Sequence, residues 1–250
     1  MTKLTIKPIP DKHMWNGNEM NSRIISKFFF ELTNKIFMKT QEYVNAYGKG
    51  SDFPLANSER NLYSLFSSAI GEITPLHASE WPLSKKNKKG KRVDLWCRSG
   101  GNGKTSAKLN FFIEIKADEF FLWSSCKGEF RKRYTKDGSK TKLEQLKIQV
   151  NELFEVEDLK WDDLDPVFMG ILVIPGKLKG KNDIKYDHDY IVNKVDDLNK
   201  GSTKFRYLFN TWVLPKESEI GILWKDEELQ WGRCPFVTIV GIVNTKKYSG

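Results

Sequence analysis

The stretch KRVDLWCRSGGNGKTSAKLNFFIEIKA, residues 91–117, decides the fold of this chain. Its two ends, residues 91–98 and 109–117, are rich in the β-branched, aromatic and other apolar residues that favour strands. The segment between them is rich in glycine and small polar residues, which is typical of a turn. The stretch therefore predicts a β-hairpin, and hence a sheet, near the middle of the chain.

Three charged residues, Asp94, Glu114 and Lys116, interrupt these apolar strands. Because alternate side chains of a strand share a face, Glu114 and Lys116 point the same way, opposite their apolar neighbours. Asp94 also projects opposite its apolar neighbours, so pairing of the strands gathers three charges on one face. A divalent cation would relieve the repulsion between the carboxylates, and Lys116 would assist a water or stabilise phosphate charge. The alternative is an ordinary solvent-facing strand surface.

Helices and further strands are predicted on both sides of the hairpin. Apolar residues at helical spacing predict a first helix within residues 19–47 and a second helix after Asn57 or Ser58. Residues 141–156 predict a third helix, and the apolar run at residues 167–174 predicts a strand that is buried on both faces. This order of elements implies an α/β fold with a mixed sheet flanked by helices.

We expect a single domain, because no linker or internal repeat divides the 250 residues. Within it, residues 1–54 form an N-terminal helical addition and residues 55–175 form the catalytic core. Residues 176–250 supply strands and loops that complete the sheet. In this last part, residues 219–233 predict a hairpin and residues 235–243 predict a core strand.

The composition favours a polyanionic partner. The chain carries 41 Lys and Arg against 32 Asp and Glu, for a net charge of +9, and neutralising phosphates releases condensed counterions.

The cysteines are far apart in sequence, which predicts neither a disulfide framework nor a zinc site. We find no secretory signal and no run of the ~20 apolar residues that a membrane span needs. We therefore expect a cytoplasmic protein with no membrane partner.

The charged pattern resembles that of the PD-(D/E)XK nuclease superfamily. Asp94 lies within RVDLW, and Glu114 and Lys116 lie within FFIEIK, with a helix before them and a helix and a strand after them. Val93 stands where the motif has its proline. The resemblance covers roughly residues 55–175 and selects no subfamily. It implies a restriction-endonuclease-like fold and hydrolysis of phosphodiester bonds with Mg²⁺, or with Mn²⁺ as an alternative.

The same resemblance implies a set of metal ligands. Asp94, Glu114 and the carbonyl oxygen of Ile115 would hold the cation, and members often add a Glu from the first helix of the core. Glu59 is the candidate, because it falls on the inward stripe of the second helix. An interaction with the helix dipole is the alternative role for Glu59. Glu72, near the other end of that helix, is the weaker candidate.

The third helix supplies another candidate. Gln145 and Gln149 lie one turn apart and therefore share a face of this helix. The RecB-like members of the superfamily use a Gln on this helix to hold the site or the DNA backbone. Gln145 lies between two apolar positions and is the better candidate for the catalytic set. The alternative is that it is an ordinary exposed glutamine.

Basic residues close to the hairpin predict contacts with a nucleic-acid backbone. The candidates are Lys88, Lys89, Lys91, Arg92, Lys104, Arg131 and Arg133. Lys104 belongs to GGNGKTS, which looks like a phosphate-binding loop but lacks its first glycine and leads into a strand, so we interpret it as a turn. Runs of lysine are otherwise usually solvated loops.

Together these features predict a metal-dependent DNA endonuclease, with RNA as the less favoured substrate and a homodimer as a compatible assembly. Restriction, mobile-element and anti-phage defence roles are typical of the superfamily. Two alternatives stay open. One is a non-catalytic nucleic-acid-binding module on the same fold, and the other is a protein-interaction subunit that docks a partner through its N-terminal helix.

Overall fold

Helices packed on a mixed sheet make up the structure, a computed structural model. It describes residues 6–8, 20–47, 54–56, 59–83, 92–99, 109–118, 120–122, 128–130, 133–135, 138–155, 164–179, 190, 193, 205–214, 221–222, 232–234 and 236–245. The expected α/β class, with a mixed sheet flanked by helices, is confirmed. Within these residues, no helix is both long and apolar enough to cross a membrane.

The described residues include three α-helices: α1 (Met20–Tyr47), α2 (Glu59–Ile73) and α3 (Lys142–Phe154), with a 3-10 turn at Pro54–Ala56 before α2. All three were expected from the apolar spacing, whereas the two candidate N-caps of α2 lie outside the described residues. A capping box starts α3, because the side chains of Thr141 and Glu144 each accept a hydrogen bond from the other residue's backbone N–H. This cap makes Lys142 the first residue of the helix.

The described strands are β1 (Ile6–Pro8), β2 (His77–Pro82), β3 (Arg92–Ser99), β4 (Leu109–Ala117), β5 (Phe120–Leu122), β6 (Gly128–Phe130), β7 (Arg133–Thr135), β8 (Gly138–Lys140), β9 (Pro166–Lys179), β10 (Arg206–Val213), β11 (Gly221–Ile222), β12 (Gly232–Arg233) and β13 (Phe236–Thr245). The main path of the large sheet has the order β1–β10–β13–β9–β4–β3–β2. Strands β7 and β8 form a separate two-stranded sheet.

The predicted hairpin is present between β9 and β2, toward one end of this path. Strands β3 and β4 pair antiparallel, from Leu95 opposite Ile113 to Ser99 opposite Leu109. The chain then passes through α3 and reaches β9, which pairs with β4 in parallel. A parallel neighbour requires such a crossover connection. Strand β4 is therefore an interior strand with a partner on each side.

Apolar side chains cover both faces of the sheet at β4. On one face Phe111, Ile113 and Ile115 join a core with α1 and α2. On the other face Phe112 packs with Phe168 of β9 and with side chains of α3. The predicted N-terminal helical addition thus contributes, through α1, to the main core of the sheet. Charged residues of β4 consequently lie in a largely dry environment.

Strand β10 was not predicted, because a polar residue interrupts its apolar pattern and both of its faces are buried. Asn210 is that residue, and it donates hydrogen bonds to the Thr33 hydroxyl at 2.7 Å and to the Asn34 side-chain oxygen at 3.0 Å, both on α1. A buried amide is tolerated when it has such partners. Strands β7 and β8, within the basic segment 131–142, were not predicted either.

Close packing of α3 on β9 generates the first prediction. A Cβ atom at Gly170 would lie 2.7 Å from Leu146 Cγ and 2.9 Å from Val150 Cγ2. We expect Gly170→Ala to lower the free energy of unfolding by about 1–3 kcal/mol, the usual cost of overpacking, as measured by chemical denaturation. Truncation at Leu146 removes the closer of these two contacts and leaves the one with Val150, so the same change in a Leu146→Ala background should cost less. Equal costs in both backgrounds would contradict this packing.

Candidate active site

The charged residues of β4 lie near its C-terminal end, on the face that α3 covers. Glu114 is opposite Gly170 of β9, and Lys116 is opposite Leu172. Only 5% of Glu114 and 12% of the Lys116 side chain are exposed to solvent. Burying such groups is costly unless they are paired, hydrogen-bonded or bound to a cation. The solvent-facing alternative therefore fails for these two residues.

Asp94 is fixed against β4 by a backbone hydrogen bond. Its Oδ2 atom accepts from the N–H of Ile115 at 2.7 Å. The ladder between β3 and β4 reaches Leu95 and Ile113, and the next pair in this register would be Asp94 and Glu114. Just beyond the last backbone pair of the ladder, the Asp94 carboxylate thus accepts the N–H of Ile115 in place of a backbone carbonyl. This contact puts Asp94 beside Glu114.

Tyr63 of α2 is a residue that the sequence analysis missed. It is half-buried, and its hydroxyl is hydrogen-bonded to Asp94. Burial, together with the negative charges of Asp94, Glu59 and Glu114, raises the pKa of the Tyr63 phenol far above its usual value. The phenol is therefore neutral and donates to Asp94. Its signal in the sequence was its position one turn after Glu59, on the same face of the helix.

Glu59 is brought to the site, but its partners are lysines. One carboxylate oxygen accepts a hydrogen bond from Lys142 Nζ at 2.8 Å, and the other lies 3.5 Å from Lys116 Nζ. Burial acts to raise the pKa of the Glu59 carboxyl, yet the hydrogen bonds and charges of the two lysines outweigh it and hold the pKa below its usual value. Glu59 is thus a carboxylate that links α2, β4 and α3.

These contacts give Glu59 lysine partners, whereas the resemblance implies that it is a metal ligand. In the described part of the chain, no group of three or more His, Cys, Asp or Glu side chains is arranged to hold a metal. Glu59 is engaged by the lysines rather than gathered with Asp94 and Glu114. Glu72 is not at the site either, because its carboxylate, 47% exposed, pairs with Lys35 and Lys39 of α1.

Two carboxylates and one carbonyl remain as donors for a cation. Mg²⁺ prefers oxygen ligands and is commonly held by one or two carboxylates while keeping several waters. Asp94, Glu114 and the Ile115 carbonyl are such a set. The residues present therefore fit a single hydrated Mg²⁺ or Mn²⁺ better than a closed protein cage.

Asp118 is another buried acid near the end of β4 that the sequence analysis did not single out. It is 1% exposed, and its N–H donates to the carbonyl of Val173 at 2.9 Å, which extends the contact between β4 and β9. The two-residue period places it on the side of Glu114 and Lys116. Because the described acids form no three-membered cluster, we assign Asp118 no ligand role.

The third helix contributes a lysine that was not expected. Lys142 reaches Glu59, whereas no hydrogen bond joins the half-buried Gln145 side chain to the other site residues among those described. The Oε1 atom of Gln149 is buried, and no described group donates a hydrogen bond to it. Lys142 was missed because a lysine next to an N-cap has no special pattern.

Most of the predicted phosphate contacts lie outside the described residues, namely Lys88, Lys89, Lys91, Lys104 and Arg131. Arg92 is exposed and pairs with Glu80 at 3.0 Å, so it lies on the surface at the start of β3. The backbone of Arg133 belongs to β7, opposite Lys140.

Comparison of the chain with protein-family models, with curated proteins and with solved structures found no match.

The ion pairs of Glu59 predict a pH dependence of stability. Because the folded pKa lies below the ordinary value of 4.5, the pairs stabilise the fold fully above that pH and lose their effect as the pH falls through the folded pKa. Wild type should therefore exceed Glu59→Gln in free energy of unfolding at pH 7, and the difference should shrink in acid. Denaturant titrations between pH 3 and pH 7 measure it.

Glu72→Gln is the matched control. Like Glu59, Glu72 contacts two lysines, here both from α1, but its side chain is open to water. Solvent screening weakens exposed pairs, so its pH-dependent difference should be smaller. A difference for Glu59→Gln that grows in acid would contradict the described pairing.

Proposed function

We propose that the protein is a Mg²⁺-dependent DNA endonuclease of the restriction-endonuclease-like type. The observation that carries the proposal is the meeting of Asp94, Glu114 and Lys116 with side chains of α2 and α3 at one end of β4. Four separate elements place charged groups there, where the fold itself gains little from buried charge. Functional sites are the usual places for such an arrangement.

The order of elements supports the same proposal. A helix precedes the hairpin β3–β4, α3 follows it, and β9 then joins β4 in parallel. This is the order on which the resemblance to PD-(D/E)XK nucleases rests. It brings Asp94 from one strand, and Glu114 and Lys116 from the next, to the same part of the sheet.

Each side chain has a defined task in this proposal. Asp94 and Glu114, with the Ile115 carbonyl, would hold the cation, which supplies a polarised water and neutralises phosphate charge. Two donors, the Tyr63 hydroxyl and the Ile115 N–H, hold the Asp94 carboxylate in one orientation. Lys116 orients the attacking water or stabilises charge that develops on the phosphate.

Glu59 is a positioning residue in this arrangement. Its carboxylate contacts Lys116 from α2 and holds the amine at this end of β4. Lys116 would otherwise have many rotamers, and fixing a long side chain in advance lowers the cost of reaching the reactive geometry. The contact therefore gives Glu59 a role that needs no direct bond to the cation.

Burial of α1 favours the nuclease over the interaction-subunit alternative, in which the N-terminal helix docks a partner. The apolar face of α1 is already part of the core, with Ile25, Phe29, Leu32, Ile36 and Phe37 fully covered. Among the α1 side chains that the structure describes, the exposed large apolar ones are Met38 and Tyr43, five positions apart and on different faces of the helix. The non-catalytic nucleic-acid module remains the main rival, and only a measurement of cleavage separates it from the nuclease.

Lys116→Met tests the catalytic role directly. We expect the cleavage rate of plasmid and oligonucleotide DNA in Mg²⁺ to fall by about 10²–10⁴-fold, the usual contribution of a group positioned for the transition state. DNA binding should stay close to that of wild type, because one lysine supplies a small part of the counterion release. Asp94→Asn should abolish cleavage. Single-turnover cleavage and equilibrium binding at fixed salt give both readouts.

Lys39→Met is the control for loss of one positive charge, since Lys39 pairs with Glu72 away from the site. It should cleave like wild type. Wild type that binds duplex DNA but cleaves neither DNA nor RNA with Mg²⁺ or Mn²⁺ would establish the non-catalytic module instead. Cleavage that survives in Asp94→Asn would show that the chemistry lies elsewhere.

A further inference from the structure

Lys142 is a second buried cation beside the proposed catalytic lysine. Its side chain is 14% exposed, and its Nζ atom lies 2.8 Å from the carboxylate oxygen of Glu59 that Lys116 does not contact. One carboxylate thus bridges two ammonium groups that come from different elements. Its single negative charge balances only one of them.

The position of Lys142 in α3 is unfavourable for the helix itself. The first turn of a helix carries the positive end of the macrodipole, where a lysine is destabilising. Thr141 and Glu144 already cap this end, so Lys142 adds nothing to the start of α3. Removing an ammonium group from water has a further cost. A role outside α3 accounts for the placement of this side chain.

We propose that Lys142 binds a backbone phosphate of the nucleic acid, next to the phosphate at which cleavage occurs, and that Glu59 holds its amine ready beforehand. The inference rests on the proposed nuclease function, because it places Lys116 at the scissile phosphate. Glu59 is 29% exposed and Lys142 is 14% exposed, so the contact between them borders solvent. A phosphodiester carries one negative charge shared by two non-bridging oxygens, and it can replace the carboxylate as a partner of either amine.

A purely structural role is the rival explanation, in which Lys142 only ties α3 to α2. The two roles differ in their salt dependence. Each phosphate contact with duplex DNA contributes about 0.9 to the slope of log binding constant against log salt concentration. A tie between helices contributes nothing to that slope, even where its loss weakens binding.

The test is duplex binding in EDTA, where no metal supports cleavage, at several salt concentrations. We expect Lys142→Met to lower the magnitude of the slope by about 0.9 relative to wild type, and Lys142→Arg to restore it, since arginine keeps the charge. Lys39→Met is the matched control, because Lys39 also shares one glutamate with a second lysine. Its slope should equal that of wild type.

A neutral methylphosphonate at single positions of the duplex locates the contact. At one position next to the scissile phosphate, the substitution should weaken binding by wild type but not by Lys142→Met. Lys142→Gln serves for the same comparison if the Met variant does not fold. An unchanged slope in both uncharged variants, or equal losses at every methylphosphonate, overturns the proposal.

The outcomes for Lys142 and for the proposed function are separate. Cleavage by wild type in Mg²⁺ together with an unchanged slope for Lys142→Met removes the Lys142 inference and leaves the nuclease. A changed slope without any cleavage by wild type keeps the phosphate contact and removes the nuclease. Absence of both binding and cleavage in wild type overturns both.

Discussion

Burial of β4 on both faces is the constraint on which the rest of the structure depends. Phe111, Ile113 and Ile115 pack against α1 and α2 on one side, and α3 and its neighbours cover the other. Glu114 and Lys116 cannot avoid this environment, because they belong to the same strand. Each must find opposite charge or hydrogen-bond donors inside the protein. For Lys116 that group is Glu59, in the first turn of α2.

The site is consequently assembled from elements that are distant in sequence but rigidly packed. Glu59 and Tyr63 lie one turn apart on α2, so one helix face serves both the lysines and Asp94. The capping box at Thr141 sets where α3 begins, and close approach of α3 to β9 at Gly170 sets its height above the sheet. Groups held by packed helices and strands keep their geometry better than groups on loops.

Much of the fold was predictable because strong local patterns coincide with tertiary packing. The bounds of β4 and the three helices follow from apolar spacing and from a cap, and Asp94, Glu114 and Lys116 stand out as charges inside apolar strands. Strand β10 was not predictable, since the side-chain NH2 group of Asn210 is bonded by α1, which lies far away in sequence. Tyr63 and Lys142 were missed for the same reason: their partners come from other elements. The role of Glu59 likewise depends on side chains of other elements, here Lys116 and Lys142.

The central claim is that Asp94 and Glu114 together hold a divalent cation beside Lys116. Diffraction from crystals soaked in Mn²⁺, collected for its anomalous signal, tests this claim most directly. The account predicts one strong anomalous peak in contact with an oxygen of Asp94 and an oxygen of Glu114, with Glu59 still bound to the two lysines. A peak elsewhere, or none at this place while both carboxylates contact only protein groups, would contradict it.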